Sequence, residues 1–320
     1  MRVLIAGSIA YDYLMSFPGR FSEHFLADKL DRISVSFLVD ALRKERGGVA
    51  ANIAYSLALL GERPLLVGAA GGDFGPYREA LVRTGVDASG VKEFPDDFTS
   101  SCFINTDEVE NQIVAFYTGA MRHSTELSLE PYFEEGVDLA VVSPGDPGAM
   151  AAFCRECRDH GVPFLFDPSQ QIVALSGEAL REGARGASLL VVNEYELEMF
   201  CKKTGLGEGD LLDLAETVIV TRGGEGSEIR TGGEIVRIPV VPPDAVVDPT
   251  GVGDAFRSGL IKGMIHGLPW EVAGRMGSLA ASYVLEHGGT QQHAYDLEAF
   301  VTRYCEVFGE SGDVRNLLRR

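Results

Sequence analysis

Between residues 248 and 259 the chain reads Asp-Pro-Thr-Gly-Val-Gly-Asp-Ala-Phe-Arg-Ser-Gly. Gly251 and Gly253 bracket Val252, Asp254 follows at once, and the run then becomes apolar with helical spacing. Residues 234–247, rich in Val, Ile and Pro, read as extended chain. The pattern predicts strand, glycine turn and helix. Glycines there let a ligand approach the backbone, and N–H groups 251–254 open from a helix N-terminus, which suits an anion. A carboxylate at that place would repel a resting phosphate. It fits a different task, in which Asp254 takes a proton from an attacking hydroxyl while the N–H groups stabilise a phosphoryl group in transfer. A lone Gly-x-Gly-Asp is also an ordinary helix cap, so other residues must decide.

Four further stretches carry candidate chemistry. Residues 46–61 place Gly47 and Gly48 before a helix of small and apolar residues, with Asn52 as the polar side chain of its first turns and Gly61 closing it. A hydroxylated ligand there would meet bare backbone at Gly48 and the amide of Asn52. Ser8 and Asp12 follow a first strand at 2–7, and in open α/β sheets ligands sit beyond such carboxyl ends. Asn193 and Glu196 stand three apart where a buried strand meets a helix, the spacing of a capping pair. Thr221 ends a strand before Arg222-Gly-Gly-Glu-Gly226, either a plain hairpin turn or a place for nucleotide to approach Gly223 and Gly226.

The elements that position these residues alternate. Strands are expected at 137–143, 163–167, 189–193 and 217–221, with helices at 147–160, 176–183 and 271–286, a rhythm that implies a mostly parallel sheet covered on both faces. Segments 17–21 and 33–39 alternate apolar and polar residues, and 99–107 with 112–117 read as a hairpin; all are assigned to a small separate sheet. An exposed single-layer sheet invites a cover, so self-association is expected. With 320 residues and 45% hydrophobic content the chain can bury a large core. No apolar stretch is long enough to cross a bilayer and the N-terminal one is too short for a signal peptide, so a soluble cytoplasmic protein is expected. A formal net charge of −19 argues against a nucleic-acid groove. Five cysteines exclude a fully paired disulfide framework; Cys154 and Cys157, one helical turn apart, read as packing thiols. The histidines show no metal-like spacing. Gly7-Ser-Ile-Ala stands where a dinucleotide-binding dehydrogenase would carry Gly-x-Gly-x-x-Gly.

The 248–259 run and the 46–61 run resemble, in order, the second and first signatures of the ribokinase family, the PfkB sugar and nucleoside kinases. Val252 stands where that family often has alanine, which leaves the backbone donors intact. The resemblance covers essentially the whole chain. It implies a ribokinase-like three-layer α/β domain over 1–320, with a small β-sheet lid from excursions at about 13–42 and 98–120, and a homodimer through that lid. It implies Asp254 as base and 251–253 as anion hole, with Gly48 and Asn52 on substrate hydroxyls. ATP contacts follow at Asn193, Thr221, Gly223, Gly226, Gly251 and Gly253. Magnesium is expected at Asn193 and Glu196, largely through water, and a monovalent cation such as K+ near Asp248 and Thr250. Segments 7–12, 17–21, 36–40 and 167–171 look like bacterial adenosine kinases of the actinobacterial type. That likeness implies transfer of the γ-phosphoryl of ATP to the 5′-hydroxyl of adenosine, with Ser8, Asp12 and Ser36 at the ribose and Phe103, Phe116 and Gln171 around the base. Phe103 and Phe116 could equally pack the lid's underside. A ribokinase or other sugar kinase is the alternative; a non-catalytic nucleoside- or sugar-binding regulator would need neither the Gly-Val-Gly-Asp nor the Asn-x-x-Glu.

Overall fold

The computed structural model describes residues 1–25 and 34–319. In chain order the strands are β1 (Val3–Ala6), β2 (Ala10–Ser16), β3 (Ala41–Gly47), β4 (Leu65–Gly71), β5 (Asp87–Phe94), β6 (Ser100–Thr106), β7 (Gln112–Tyr117), β8 (Leu139–Val142), β9 (Phe164–Phe166), β10 (Ala187–Asn193), β11 (Ala215–Thr221), β12 (Ser227–Thr231) and β13 (Ile235–Ile238). The helices are α1 (Val49–Leu59), α2 (Gly75–Thr84), α3 (Glu130–Phe133), α4 (Pro147–Asp159), α5 (Gly177–Ala184), α6 (Glu194–Thr204), α7 (Val252–Ile265), α8 (Trp270–Leu285), α9 (Leu297–Phe308) and α10 (Gly312–Arg315).

The larger sheet runs β13-β12-β11-β10-β9-β8-β1-β4-β5. It is parallel from β11 to β5, and β12 and β13 add an antiparallel edge. The central strands are short, wholly apolar runs such as Leu-Ala-Val-Val in β8, as parallel strands covered on both faces must be. Alternation along β1 sends Val3 and Ile5 into one core with α1, α2 and α7, and Leu4 and Ala6 into the other with α4, α5 and α6. The expected three layers are therefore present. Because every parallel strand points the same way, the ends of β1, β8, β9, β10 and β11 open onto one edge, and the site lies there.

The smaller sheet runs β3-β2-β6-β7, with β2 and β6 parallel and the outer pairs antiparallel. Its registers set Asp12 beside Glu45 and Cys102, and Cys102 beside Phe116; Tyr13 and Phe103 pair on the opposite face. Two expectations fail here. Residues 17–21 are no strand: β2 ends at Ser16, and Pro18-Gly19 turns the chain so that Phe17, Phe21 and Phe37 form a ring cluster. Residues 34–39 are irregular, while Ile33 lies outside the described residues. The pairing strand is instead β3, whose Ala-Leu-Arg-Lys-Glu-Arg-Gly lacks apolar alternation because it is an exposed edge strand. The first excursion thus contributes strands over 10–47, wider than the expected 13–42.

Cys154 and Cys157 are buried on the sheet-facing side of α4, as free thiols, and burial first of all pushes Cys157 up to about 12. Cys102, Cys201 and Cys305 are partly exposed. A thiol titration of the native protein should therefore reach these three, with Cys154 and Cys157 appearing only on denaturation. Fast labelling of Cys154 in the folded state would contradict this packing.

Candidate active site

Gly251 caps α7 in the left-handed conformation, φ 81°, a position that a side chain reaches only with strain. Among the described residues, the N–H groups of Gly251, Gly253 and Asp254 have no protein acceptor. They open into a cavity of about 530 Å³ whose wall includes Thr250, Gly251, Gly253 and Asp254. Val252 faces away, packing against the α8–α9 core. The loop before the helix is closed by Asp248, which accepts from the Thr250 N–H at 2.9 Å and the Gly289 N–H at 3.0 Å. Burial pushes the Asp248 carboxyl up, but those bonds and Arg43 outweigh it and hold it below the ordinary carboxylate range.

Asn52, in the first turn of α1, donates from Nδ2 to Asp254 Oδ2 at 2.8 Å. Its Oδ1 lies 2.9 Å from both Thr290 Oγ1 and Gln291 Nε2. With donors fixed on Oδ1, the amide has a single sensible orientation, and its N–H₂ must face Asp254. Gln291 is itself held by the Tyr77 hydroxyl at 2.5 Å, and Tyr77 donates to the Gly47 carbonyl at 2.8 Å. Burial, with smaller contributions from the Asp167 and Asp12 carboxylates, pushes Asp254 up to about 7, against the downward pull of Arg257 and of the Asn52 bond. A carboxylate near neutrality accepts a proton readily.

Asp12 projects into the same cavity from β2, and no protein donor among the described residues bonds its carboxylate. Burial, then the charges of Glu45 and Asp248, pushes it up to about 6. Its space depends on Gly47, where a methyl group would stand 2.4 Å from Asp12 Oδ2. Ser8 Oγ accepts from the Val49 N–H at 3.0 Å, tying the end of β1 to the start of α1. Gly48 there has φ 92°, and a methyl group on it would meet Ser8 O at 2.6 Å. Two unpaired carboxylate oxygens suit a pair of hydroxyls.

The remaining wall brings in Cys102, Phe116, Met121, Ser169, Gln170 and Gln171 on one side and Asn193, Glu196 and Thr221 on the other. Asn193 and Glu196 form a capping box at the start of α6, Glu196 Oε2 accepting from the Asn193 N–H at 2.8 Å and Asn193 Oδ1 accepting from the Glu196 N–H at 2.8 Å. The cap and the cavity are thus served by the same pair, since Oε1 of Glu196 has no protein donor among the described residues and the residue lines the cavity. That free oxygen fits a water-mediated role toward a magnesium ion, and no cluster of three or more His, Cys, Asp or Glu able to hold a metal directly occurs among the described residues.

Four more expected site residues lie elsewhere. Phe103 stacks on Tyr13 at 4.8 Å on the other face of the small sheet, because strand alternation puts it opposite Cys102. Ser36 is exposed in the irregular segment and does not line the cavity. Gly223 and Gly226 form the β11–β12 turn outside the lining; Gly226 is required by packing, since a methyl group there would stand 2.1 Å from Ile238 O. The sequence reading missed Arg257, Thr290 and Gln291. Arg257 lies one turn beyond Asp254 and was detectable by that spacing, whereas Gln291 gave no local signal. A larger groove of about 800 Å³ beside α9 holds Asp296, Glu298 and Glu306 and no glycine turn, so volume alone does not locate the chemistry.

Residues 10–296 match the family described as pfkB family carbohydrate kinase. The chain belongs to the PfkB family. It is 30% identical, over 96% of each chain, to a nucleoside kinase of Methanothermobacter thermautotrophicus. Among solved structures it is similar to the Burkholderia thailandensis nucleoside kinase in complex with inosine, with 38% identity, TM-score 0.86, and coverage of 96% of this chain and 98% of that one. Against the same enzyme in complex with ADP-inosine the identity is 39% and the TM-score 0.84, with 96% of each chain covered. The fold is therefore ribokinase-like, a mostly parallel sheet between helices with a smaller sheet attached. Among the described residues no helix is long and apolar enough to cross a membrane.

The elevated Asp254 has two measurable consequences. An enzyme that needs this carboxylate ionised should lose kcat/KM as pH falls through about 7. The sign for stability is opposite: with a folded value above the ordinary 3.8, the native state holds the proton more tightly, so the group's contribution falls as pH rises between those values. Asp254→Asn should therefore raise the melting temperature above neutral pH, with a gain that shrinks toward pH about 4. A gain that does not vary with pH would contradict a raised carboxyl.

Proposed function

We propose that this PfkB protein is an ATP-dependent nucleoside kinase that phosphorylates the 5′-hydroxyl of adenosine to give AMP, a purine-salvage reaction. The observation that carries the reading is the convergence, in one cavity, of Asp254 beside three acceptor-free N–H groups with the unpaired carboxylate of Asp12. Asp254 takes the hydroxyl proton, and the acceptor oxygen forms its bond to the γ-phosphorus as the bond from that phosphorus to the bridging oxygen of ADP breaks. The N–H groups of Gly251, Gly253 and Asp254 stabilise the charge on the transferring group. Asp12 accepts the ribose 2′- and 3′-hydroxyls, Gly48 lets the sugar approach the backbone, and Asn52 holds Asp254 until the substrate arrives; Ser8 braces the Gly48 turn.

Phe116 and Met121 offer the base an apolar wall, and Gln170 and Gln171 offer amides for its edge. Similarity to nucleoside kinases, one of them seen with inosine, supports a nucleoside over a free sugar. ATP occupies the side of Asn193 and Thr221. Magnesium, organised through water by Asn193 and Glu196, neutralises phosphate charge when bound. A monovalent cation, K+, near Asp248 and Thr250 is part of the same proposal. So is a homodimer through the small sheet, supported by exposed Leu42, Ile113, Val114 and Tyr117, and so is a cytoplasmic location.

The test is ADP release with ATP and magnesium, run with adenosine, inosine, ribose and fructose 6-phosphate. Turnover with adenosine and little with ribose is expected, and turnover confined to a sugar would sink the nucleoside reading. Asp254→Asn should lower kcat by at least about a hundredfold while nucleoside binding persists, the lower range for a lost general base. Wild-type turnover in that variant would remove Asp254 from the mechanism.

A further inference from the structure

Arg257 is 5% exposed and stands one turn beyond Asp254 on the same side of α7. Its one hydrogen-bond partner among the described residues is Asp167, reached from Nη2 at 2.7 Å. Asp167 is fully buried just past the end of β9. Nε of Arg257 is buried without a partner, and so is Oδ2 of Asp167. A guanidinium has five N–H donors, and the one bond to Asp167 leaves others, the buried Nε–H among them, without an acceptor among the described residues, so the arrangement calls for an acceptor that these residues do not provide.

The place of the side chain says which acceptor. A methyl group on Gly253 would stand 2.8 Å from Nη1, so the guanidinium lies against the glycine turn whose N–H groups face the cavity. Among the described residues lining that cavity, Arg257 is the one cationic side chain, while Asp12, Glu196 and Asp254 are carboxylates. A nucleotide's phosphates would bring further negative charge into this acidic hollow. Planar guanidinium groups bind phosphoryl oxygens in pairs and strengthen as water is excluded.

We propose that Arg257 is a catalytic residue: in the loaded site its free N–H groups bond the phosphoryl group in transfer, while Nη2 stays anchored on Asp167. Arg257 then supplies charge where the backbone N–H groups supply only dipoles. This inference rests on phosphoryl transfer at Asp254 and adds to it the group that offsets the cavity's acidity. Asp167 is the positioning residue that aims the guanidinium.

The experiment compares wild type with Arg257→Gln, Arg257→Lys and Asp167→Asn, each checked for folding by circular dichroism, with kcat and KM for adenosine and ATP. Arg257→Gln should lose on the order of a hundredfold in kcat, the range for removing one transition-state donor, with adenosine KM changed less than about threefold. Arg257→Lys, which keeps the charge without the fork, should recover part of that loss. Asp167→Asn, which leaves the arginine in place, should lose much less than Arg257→Gln. Unchanged kcat in a folded Arg257→Gln would overturn the proposal. So would an Asp167→Asn loss exceeding that of Arg257→Gln, since the carboxylate rather than the arginine would then carry the effect. Should Arg257→Gln fail to fold, Arg257→Lys decides, with wild-type kcat overturning the proposal and a reduced kcat at unchanged adenosine KM supporting it. A wild-type protein inactive on every acceptor would instead sink the kinase reading itself, so the two failures are distinguishable.

Discussion

Asn52 Nδ2 donates to Asp254 Oδ2 at 2.8 Å across 202 residues of chain, and this bond joins the first turn of α1 to the first turn of α7. Both helices begin at glycines with positive φ, and both point their N-termini at the same cavity. Their positive helix ends favour the ionised carboxylate, while burial favours the neutral one. Asp254 is held between these demands. The orientation of Asn52 is fixed from behind by Thr290 and Gln291, and Gln291 is fixed by Tyr77, whose hydroxyl reaches the Gly47 carbonyl. The chain of bonds ends on the glycine that also leaves room for Asp12. A change in Gln291 would therefore reach both carboxylates without touching either.

Charge balance is the second constraint. The chain carries a net charge of −19, and its cavity concentrates carboxylates where the proposed phosphate donor would bind. Ordinarily such a hollow would repel polyanions. Backbone N–H groups left without acceptors answer part of this repulsion, and the buried Arg257 sets a full positive charge directly behind the glycine turn. The salt link from Arg257 to Asp167 ties that turn to the loop carrying Ser169, Gln170 and Gln171. The sides of the cavity proposed for phosphate and for base are thus mechanically connected through one buried pair. Ser169 adopts φ 40°, and a non-glycine residue in that region on the cavity wall marks local strain next to the same loop.

The small sheet contributes by alternation alone. Registers between β2, β3, β6 and β7 put Asp12, Cys102 and Phe116 on the cavity face and Tyr13 and Phe103 on the other. A one-residue slip would exchange Asp12 for Tyr13 and remove the carboxylate from the cavity. Asp12 sits on the same strand as the stacked Tyr13–Phe103 pair, so packing on the outer face helps fix the register that the inner face needs.

The local grammar of the chain was sufficient for the three-layer α/β fold, because apolar strand runs, helical periodicity and glycine or Asx caps are short-range properties. It also set Asp254, Gly251, Gly253, Asn52 and the Asn193–Glu196 pair at helix starts, where the structure has them, because helix N-termini and glycine turns announce themselves within a few residues. What it left open depends on contacts distant in sequence. Phe103 was placed with Phe116 because both sit on the two strands of the expected hairpin, and only strand register separated them onto opposite faces. The segment 34–39 alternated like a strand, yet the charged β3 took the edge because its backbone, not its side chains, completed the ladder. Ser36 and Gly223 lay in suggestive segments that the fold does not bring to the cavity. Gln291 was a plain residue in sequence and Arg257 carried only its spacing from Asp254; their contacts formed only when β9 and the 287–291 turn were packed beside α7 and α1. Local pattern sets each element, whereas the burial and pairing of charges are decided by which elements meet, and that is a tertiary property.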